Sequence, residues 1–148
     1  MAPLRPFSHS LPIALLRARE SVMRHFRPSL QAAGLTEQQW RALRAFNGQK
    51  EIDATRLAGA TFLLAPSLTR ILRDLEGRGL VSRRPDPRDA RVALIALTGQ
   101  GAALLREVGA RSERIYQAIE ARVGGEKLGR LMWALAEIEA DLGERLEI

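Results

Sequence analysis

A chain of 148 residues with 46% apolar residues is long enough to bury one hydrophobic core and is globular in composition. The formal net charge of +6 favours a polyanionic partner, and the absence of cysteine excludes disulfides, thiolate metal sites and cysteine-based redox sensing. The longest early apolar run, 11–16, contains Pro12 and is too short for a secretion signal or a membrane span, so we expect a cytoplasmic protein without a membrane partner.

The first predicted element is a long helix over 10–33. Ser10 is its predicted N-cap, and Pro12 lies in the opening turn, where its missing N–H costs nothing. Pro28 falls inside the helix and is expected to kink or loosen it locally, and Gly34 ends the helix.

Two shorter helices are predicted next. The segment Thr36-Glu37-Gln38-Gln39 has Thr at the N-cap and Gln at N3, which predicts a capping box and a second helix that runs to about Phe46. Asn47-Gly48 is the predicted stop of this helix. Asp53 is then expected to cap a short third helix that carries Leu57.

The fourth predicted helix begins near Pro66 and stops at Gly77-Arg78-Gly79. Its apolar positions follow the i, i+3, i+4, i+7 pattern of one buried face, and they are Leu68, Ile71, Leu72 and Leu75. The residues opposite and beside this face, which we expect to approach DNA, are Pro66, Ser67, Thr69, Arg70 and Arg73. The third helix, the turn and the fourth helix form a helix-turn-helix, whose second helix enters the major groove. The alternative is an ordinary amphipathic surface helix.

A basic hairpin is predicted after this helix. Its strands are 80–84 and 91–97, and its tip is 85–90, which two prolines stiffen. Asp89 is placed to hold Arg91 extended by a bidentate pair, and a narrow minor groove attracts arginine. We therefore predict a DNA-binding wing, with a solvated turn of mixed charge as the alternative. The wing residues expected at the DNA are Arg84, Arg88, Asp89 and Arg91.

The last third of the chain is predicted to be helical and to serve dimerisation. Thr98-Gly99 starts a long helix, and Gly124-Gly125 separates it from a last helix. Positive charge accumulates before residue 98, whereas 98–148 is net negative and better suited to helix–helix contact than to phosphate. The apolar faces of 10–33 and 98–148 are too broad for the region 34–97 to cover, which favours a symmetric homodimer. The alternative is a monomer whose terminal helices pack only on each other.

The predicted fold class is therefore mainly α with a small β-wing, a winged helix-turn-helix joined to a long-helix dimerisation region. A single domain, 1–148, would contain the winged DNA-binding region 34–97 between the dimerisation helices 10–33 and 98–148. A dimer would present two recognition helices to a pseudo-palindromic site on double-stranded DNA.

This order of elements resembles the MarR family of bacterial transcription regulators over nearly the whole chain. The most specific part is the wing element Asp86-Pro87-Arg88-Asp89-Ala90-Arg91, with Leu97-Thr98 and Gly101 after it. The segments 11–20, 26–28, 35–41 and 66–69 are similar to the HpaR branch, which represses homoprotocatechuate (4-hydroxyphenylacetate) catabolic operons. The resemblance implies a dimeric repressor of an aromatic-acid catabolic operon that a small aromatic carboxylate releases. From the residues themselves we expect no cofactor and no metal.

Such an effector needs arginine for its carboxylate and apolar or aromatic walls for its ring. Related regulators of aromatic catabolism carry an arginine on the first helix and a histidine six residues later, a spacing that Arg19 and His25 match. The resemblance therefore implies a ligand site with Arg19, His25, Trp40 and Arg41, between the dimerisation helices and the winged region. The alternatives are an exposed or phosphate-binding Arg19, an interface or core His25, and a Trp40 that mainly packs in the core.

Other classes of function fit the sequence less well. The chain has two histidines and no cysteine, and its Gly-x-Gly segments are too short for a phosphate-binding loop, so we do not expect an enzyme. A non-sensing architectural DNA-binding protein would share the wing but need no pocket. A MarR-type regulator of a different phenolic or efflux pathway is a further alternative. The operator sequence, the effector and the direction of its effect stay open.

Overall fold

The computed structural model describes residues 4–46 and 48–143, which fall into two compact units that divide between Arg111 and Ser112. After a short 3-10 helix at Phe7–His9, the first unit contains α1 (Leu11–Ala32), α2 (Glu37–Arg44), β1 (Glu51–Asp53), α3 (Ala54–Thr61), α4 (Ala65–Gly77), β2 (Val81–Asp86) and β3 (Asp89–Leu97). Helix α5 (Gly99–Val123) begins in the first unit and ends in the second, and α6 (Gly125–Asp141) lies in the second. Over the described residues, no helix is long and apolar enough to cross a membrane.

Helix α1 has the predicted bounds to within one residue. Ser10 is its N-cap with extended backbone, but the Ser10 side chain makes no capping hydrogen bond. Pro12 lies in the opening turn, as predicted, and Pro28 lies inside a helix that continues past it. Gly34 follows the helix with a φ of +65°. The helix buries Phe26 and Leu30 within the first unit.

Both halves of the predicted capping box are present at the start of α2. The Gln39 backbone N–H donates to Thr36 Oγ1 at 3.1 Å, and the Thr36 backbone N–H donates to Gln39 Oε1 at 3.0 Å. The helix ends at Arg44, two residues before the expected Phe46, which is itself buried in the core. Of the predicted stop Asn47-Gly48, Asn47 lies outside the described residues.

The sheet has three antiparallel strands in the order β1-β3-β2, one more strand than the hairpin that the sequence predicts. The additional strand β1 pairs Ile52 with Ile95, and Ile52 is buried. A three-residue strand is too short to show the alternation by which strands are recognised in a sequence. Its last residue, Asp53, is also the N-cap of α3, where its side chain accepts from the Arg56 N–H at 2.7 Å, as predicted.

The wing strands reach further toward the tip than the sequence suggests. Strand β2 continues through Pro85 to Asp86, and β3 begins at Asp89, so the six-residue tip expected over 85–90 is a two-residue turn. Pro85 is tolerated because β2 is an edge strand, where a missing N–H removes no necessary ladder bond. The register is irregular between Pro85 and Asp86.

The core of the first unit confirms the predicted inner face of α4. Leu68, Ile71, Leu72 and Leu75 are all buried, and they join one hydrophobic cluster with residues of α2, α3 and the sheet. Leu43, Leu57 and Ile95 are fully buried representatives of these three parts. The core therefore fixes which face of α4 points outward.

Helix α5 starts in direct contact with the segment that joins α4 to β2. Thr98 Oγ1 donates to the Gly79 carbonyl at 2.6 Å and accepts from the Gly101 N–H at 3.0 Å, while the Thr98 N–H donates to the Leu80 carbonyl at 3.1 Å. A Cβ on Gly101 would collide with the Leu80 carbonyl oxygen. The spacing of Thr98 and Gly101 is thus required by the close approach of two backbone segments.

The second unit contains the end of α5 and the whole of α6. Gly124 has a φ of +95° and separates the two helices, as the sequence predicts. Several large apolar side chains of α6 are exposed, namely Leu131, Met132, Trp133 and Ile138, as is Leu142 at its C-cap. Both Met132 and Trp133 are 65% exposed, which is high for such large apolar groups.

Candidate nucleic-acid interface

Helix α4 presents a polar face to solvent opposite its buried leucines. Thr69, Arg70 and Arg73 are exposed, as is Pro66 in the first turn, while Ser67 is half-buried. Thr69 Oγ1 donates back to the Ala65 carbonyl at 2.9 Å, so its hydroxyl hydrogen is already bonded within the helix. This face has the size and the donors that the major groove accepts.

A hydrogen-bond network between α2 and α4 positions this helix. Gln39 Nε2 donates to Asp74 Oδ2 at 2.5 Å, and Arg78 Nη1 donates to the Gly34 carbonyl at 2.9 Å and to Gln39 Oε1 at 3.4 Å. Gln39 therefore serves both the capping box and the positioning of α4. Sequence reasoning assigned it only the capping role, because Asp74 lies 35 residues away along the chain.

Two hydrogen bonds at Thr61 hold the start of the turn between α3 and α4 in place. The buried Thr61 donates from Oγ1 to the Leu57 carbonyl at 2.7 Å, and Arg41 Nη1 donates to the Thr61 carbonyl at 3.2 Å. Arg41, which the sequence assigns to a ligand pocket, thus satisfies an end carbonyl of α3 in this structure. The next residue, Phe62, has left-handed backbone with a φ of +53°.

The wing tip contains two Asp-x-Arg pairs of the same form. Arg91 donates from Nε to Asp89 Oδ1 at 3.1 Å and from Nη2 to Asp89 Oδ2 at 3.3 Å, the bidentate pair that the sequence predicts. Arg88 makes the same two contacts with Asp86, both at 3.3 Å. The side chains of Arg88 and Arg91 are 88% and 91% exposed, so both guanidinium groups extend from the tip into solvent while each bonds its aspartate.

Both wing carboxylates are stabilised in the ionised form. The Arg88 backbone N–H and guanidinium lower the pKa of Asp86, and the Arg91 guanidinium and backbone N–H lower the pKa of Asp89. Each carboxylate accepts a backbone N–H as well as the side chain, so each pair stiffens the turn as well as aiming an arginine. The sequence analysis recognised the pair at Asp89 and missed the equivalent pair at Asp86.

Two further arginines of the wing form ion pairs with glutamates on α4 and β1. Arg84 donates from Nε and Nη2 to the two carboxylate oxygens of Glu51, at 3.0 and 2.8 Å. Arg83 donates to Glu76 on α4 at 3.1 Å. Arg84, predicted at the DNA, therefore braces β2 against β1 in this structure, while its side chain remains 53% exposed.

The predicted ligand residue Arg19 belongs to a cluster of four charged residues between α1 and α2. We call Arg19, Glu20, Arg27 and Glu37 the acid–arginine cluster. Arg19 contacts Glu37 at 2.5 Å and Glu20 at 3.0 Å, and Arg27 contacts Glu37 at 2.5 Å and Glu20 at 2.6 Å. Although burial opposes it, the hydrogen bonds from Arg27 and Arg19 hold the pKa of Glu37 below its ordinary value. The cluster fastens the start of α2 to α1.

Two other predicted ligand residues, His25 and Trp40, differ in how exposed they are. His25 is exposed on α1, whereas Trp40 is 7% exposed and belongs to the core of the first unit. The guanidinium carbon of Arg44 lies 6.0 Å from the centroid of the Trp40 ring, at the outer limit of a cation–π contact. Arg44 is not among the ligand residues that the sequence predicts. Within the described ranges, no group of three or more His, Asp or Glu residues is arranged to hold a metal ion.

Comparison with known proteins identifies the family. The sequence profile of the MarR family matches residues 33–92, from the end of α1 into β3. The HTH-type transcriptional regulator FarR of Neisseria gonorrhoeae is 41% identical over 129 residues, which cover 87% of this chain and 88% of FarR. The chain belongs to the MarR family.

Other MarR-family proteins are similar over the same length. The homoprotocatechuate degradative operon repressor of Escherichia coli is 42% identical over 131 residues, 88% of each protein. The crystal structure of NadR in complex with 4-hydroxyphenylacetate superposes with a TM-score of 0.77 at 41% identity, and the match covers 93% of this chain and 97% of NadR. These likenesses confirm the predicted resemblance to the family and to its homoprotocatechuate-repressor branch.

Membership of the MarR family settles the class of protein. The chain is a DNA-binding transcriptional regulator of winged helix-turn-helix fold and not an enzyme. Double-stranded DNA and a second copy of the chain, the two macromolecular partners that the sequence predicts, are those of the family.

Proposed function

We propose that the chain represses an aromatic-acid catabolic operon in the cytoplasm and is released from its operator by a small aromatic carboxylate. The observation that carries this proposal is the 42% identity to the homoprotocatechuate degradative operon repressor over 88% of both proteins. NadR, 41% identical over nearly its whole length, was crystallised with 4-hydroxyphenylacetate, a compound of this chemical class. The effector proposed here therefore has one ring and one carboxylate.

The proposed DNA contacts follow from the exposed faces of α4 and the wing. In the major groove these are Pro66, Ser67, Thr69, Arg70 and Arg73, and in the minor groove Arg84, Arg88, Asp89 and Arg91. The buried leucines of α4 direct the first group outward, and the two Asp-x-Arg pairs extend the tip arginines. Arg84 would exchange Glu51 for a phosphate when it contacts DNA.

The proposed organisation is a homodimer built from the helices of both ends. Residues 10–33 and 98–148 would form the dimerisation region, and 34–97 the winged DNA-binding region, within a single domain 1–148. Large apolar side chains on α1 and α6 are exposed in the single chain, among them Leu11, Leu16, Leu131 and Trp133. Burial of these groups against a second copy would remove apolar area from water and pair two α4 helices for a pseudo-palindromic operator.

The proposed effector site uses Arg19, His25, Trp40 and Arg41, and the contacts of Arg44 add this residue to it. Arg44 and Trp40 together offer a cation and an aromatic wall, the two elements that an aromatic carboxylate needs. At Arg19, the effector carboxylate would compete with Glu37 for the guanidinium. That exchange would loosen the acid–arginine cluster between α1 and α2 and so shift the winged region relative to α1.

Titration with 4-hydroxyphenylacetate and its 3,4-dihydroxy analogue, by calorimetry and by release from a bound DNA duplex, tests the proposal. A coupling of about 1–3 kcal/mol would weaken DNA binding about 5- to 150-fold at saturation. Trp40→Phe and Arg44→Ala should weaken effector binding without abolishing DNA binding. If no aromatic acid binds at millimolar concentration or shifts the melting temperature, the chain is a non-sensing DNA-binding protein instead.

A further inference from the structure

The turn before the recognition helix holds an aromatic residue in a conformation that suits it poorly. Phe62 has a φ of +53° and a ψ of +32°, and among the described residues it is the one non-glycine residue with positive φ. Side chains with a Cβ are disfavoured there, and a bulky one is an outlier that glycine or asparagine would relieve. Phe62 is also 83% exposed as a residue, so packing within the chain does not compensate for the strain.

A second residue of the same turn departs from local preference. Leu64 is the N-cap of α4, a position that favours Ser, Thr, Asp or Asn because their side chains bond the free N–H groups of the first turn. Leu64 makes no such bond, and it is 78% exposed. Leu63 between them is half-buried against the core, so the turn has an inward apolar residue and does not need the outer two for packing.

The surrounding contacts fix this exposure. The bonds of Thr61 to Leu57 and of Arg41 to Thr61 hold the end of α3, and Leu63 anchors the other side of the turn. Residues that break local rules without stabilising the fold are expected at functional sites. Phe62 and Leu64, which we call the apolar edge, are therefore free to contact a partner outside the chain.

We propose that the apolar edge contacts the C5-methyl groups of thymines in the major groove and so determines part of the operator specificity. In a helix-turn-helix, the first residues of the recognition helix contact base edges, and the apolar edge directly precedes them. The thymine methyl is the apolar group that the major groove presents, and aromatic and aliphatic side chains read it by contact. Arg70 and Arg73 on the same helix are exposed and supply charge complementary to the flanking phosphates. This inference rests on the proposed entry of α4 into the major groove.

The test replaces thymidine by deoxyuridine, whose base lacks only the C5-methyl group of thymine. A duplex that the full-length protein selects from a random pool is the probe, and each thymine of a half-site is replaced in turn. We expect one or two replacements near the half-site edge to weaken binding of the parent protein, by about fourfold per methyl group if the contact buries it fully. Phe62→Gly and Leu64→Ser should bind the thymine and uracil duplexes equally at those positions.

The melting temperatures of the same variants show whether the apolar edge contributes to DNA recognition or to the stability of the fold. Leu64→Ser should raise the melting temperature by roughly 2–8 °C, because serine caps α4. Phe62→Gly should leave the melting temperature equal or higher, since relief of the left-handed strain offsets the flexibility of glycine. Loss of thymine discrimination without loss of stability is the result that supports the proposal.

Matched controls identify the ways in which the proposal can fail. Leu4→Ala, at a residue that is 96% exposed, should keep the parent preference for thymine. The proposal is overturned if the parent binds all uracil duplexes as well as thymine, or if the apolar-edge variants keep the parent ratio; the apolar edge would then serve a protein partner instead. If Arg70→Ala and Arg73→Ala also leave affinity and sequence preference unchanged, the entry of α4 itself is wrong, which is a separate failure.

Discussion

Arg91 is held in an extended conformation by Asp89, as the sequence predicts. It is the most exposed guanidinium of the wing, and Asp89 holds it by two side-chain contacts and one backbone hydrogen bond. The Arg91 guanidinium and N–H lower the pKa of Asp89, so this carboxylate stays ionised at lower pH than an ordinary aspartate. The pair therefore presents one fixed side-chain direction to an approaching phosphate or minor groove.

We expect Arg91→Ala to weaken DNA binding and to reduce the dependence of the logarithm of affinity on the logarithm of salt concentration by about one unit. The reason is that each phosphate contact releases about one condensed counterion from the DNA on binding, so losing the contact leaves that counterion bound and reduces the slope. Fluorescence anisotropy over a salt series measures both effects. Asp89→Asn should keep most of the salt slope and lose affinity, because the arginine remains but its orientation is released. Arg130→Ala on α6 is the control, and an Arg91→Ala slope equal to that of the control would remove the wing from the interface.

Single residues were predictable from the sequence when their partners were near in the chain. The capping box of Thr36 and Gln39 and the pair of Asp89 and Arg91 join residues two or three positions apart. By contrast, the contact of Gln39 with Asp74 and that of Arg41 with Thr61 span 35 and 20 positions. Such bonds depend on how helices pack, which no local spacing encodes.

At the scale of elements, the junction between the end of α4 and the start of α5 is a close approach of two backbone segments. Helix α5 begins against the Leu80 carbonyl, and Gly101 permits the approach because it has no Cβ. The Thr98 side chain bonds to both sides of the junction. The end of α4 and the start of α5 are thereby held together by hydrogen bonds as well as by packing.

Gly101→Ala should lower the free energy of unfolding by about 1–3 kcal/mol, since the added methyl group must displace backbone. Gly109→Ala is a matched control in the same helix, where a Cβ meets nothing within 4 Å. That control should instead stabilise the protein by about 0.5–1 kcal/mol, as alanine usually does in a helix. Urea denaturation of the two variants checks the difference in sign, and equal effects would mean that the junction adapts to the methyl group.

The acid–arginine cluster is the corresponding contact between α1 and α2, and its stability depends on pH. The folded protein holds the pKa of Glu37 below its ordinary value of 4.5. A lowered folded-state pKa stabilises the fold above the ordinary pKa, and this contribution is lost as the pH falls through the lower folded value. At neutral pH the cluster therefore contributes fully to the free energy of unfolding.

Glu37→Gln should lower the free energy of unfolding at pH 7 by about 1 kcal/mol, the upper range for exposed ion pairs. The variant should also lose less stability than the parent when the pH is lowered from 6 to 3, because it has no carboxylate to protonate at this position. Thermal melts across that pH range measure both effects. Glu113→Gln, at an exposed position of α5, controls for the general effect of removing one charge. Parallel pH profiles for Glu37→Gln and the parent would show that the cluster does not contribute.

Elements were predicted well where a periodic pattern was long and poorly where it was short. The inner face of α4 has four apolar positions in register with a helix, and all four are buried. Strand β1 has three residues and was missed, and the wing strands were placed two residues short of the true tip. Proline suggested the end of β2, but an edge strand tolerates Pro85, and the Asp86 pair continues the strand to the turn.

At the scale of the whole molecule, the sequence predicted the order of helices and wing because turn residues and caps punctuate the chain clearly. It predicted the family from the wing element, and it predicted the class of partner from net charge and its distribution. The effector site could not be resolved in the same way. Arg19 and Arg41 were assigned from the resemblance to related regulators, whereas in the folded chain their guanidinium groups bond Glu37 and the Thr61 carbonyl.

Dimerisation is the property of the whole molecule that the exposed side chains of α6 make testable. Leu131 and Ile138 lie seven residues apart, hence on one face of the helix, and they are 50% and 37% exposed in the single chain. Lysine at both positions would place two charges on a face that a second copy is proposed to bury. Because an unpaired buried charge is strongly unfavourable, Leu131→Lys with Ile138→Lys should convert the dimer to a monomer at micromolar concentration in light scattering.

The consequence for DNA binding distinguishes a dimer from a chance association. A dimer holds two α4 helices about 34–36 Å apart, or a multiple of that distance, and binds both half-sites at once. The monomeric variant should therefore lose affinity for a two-site duplex while its affinity for a single half-site stays that of one winged region. Glu137→Lys changes the charge of an exposed position on the same helix and should leave the dimer intact. A double-lysine variant that still scatters as a dimer would show that the face of Leu131 and Ile138 is not the one that pairs.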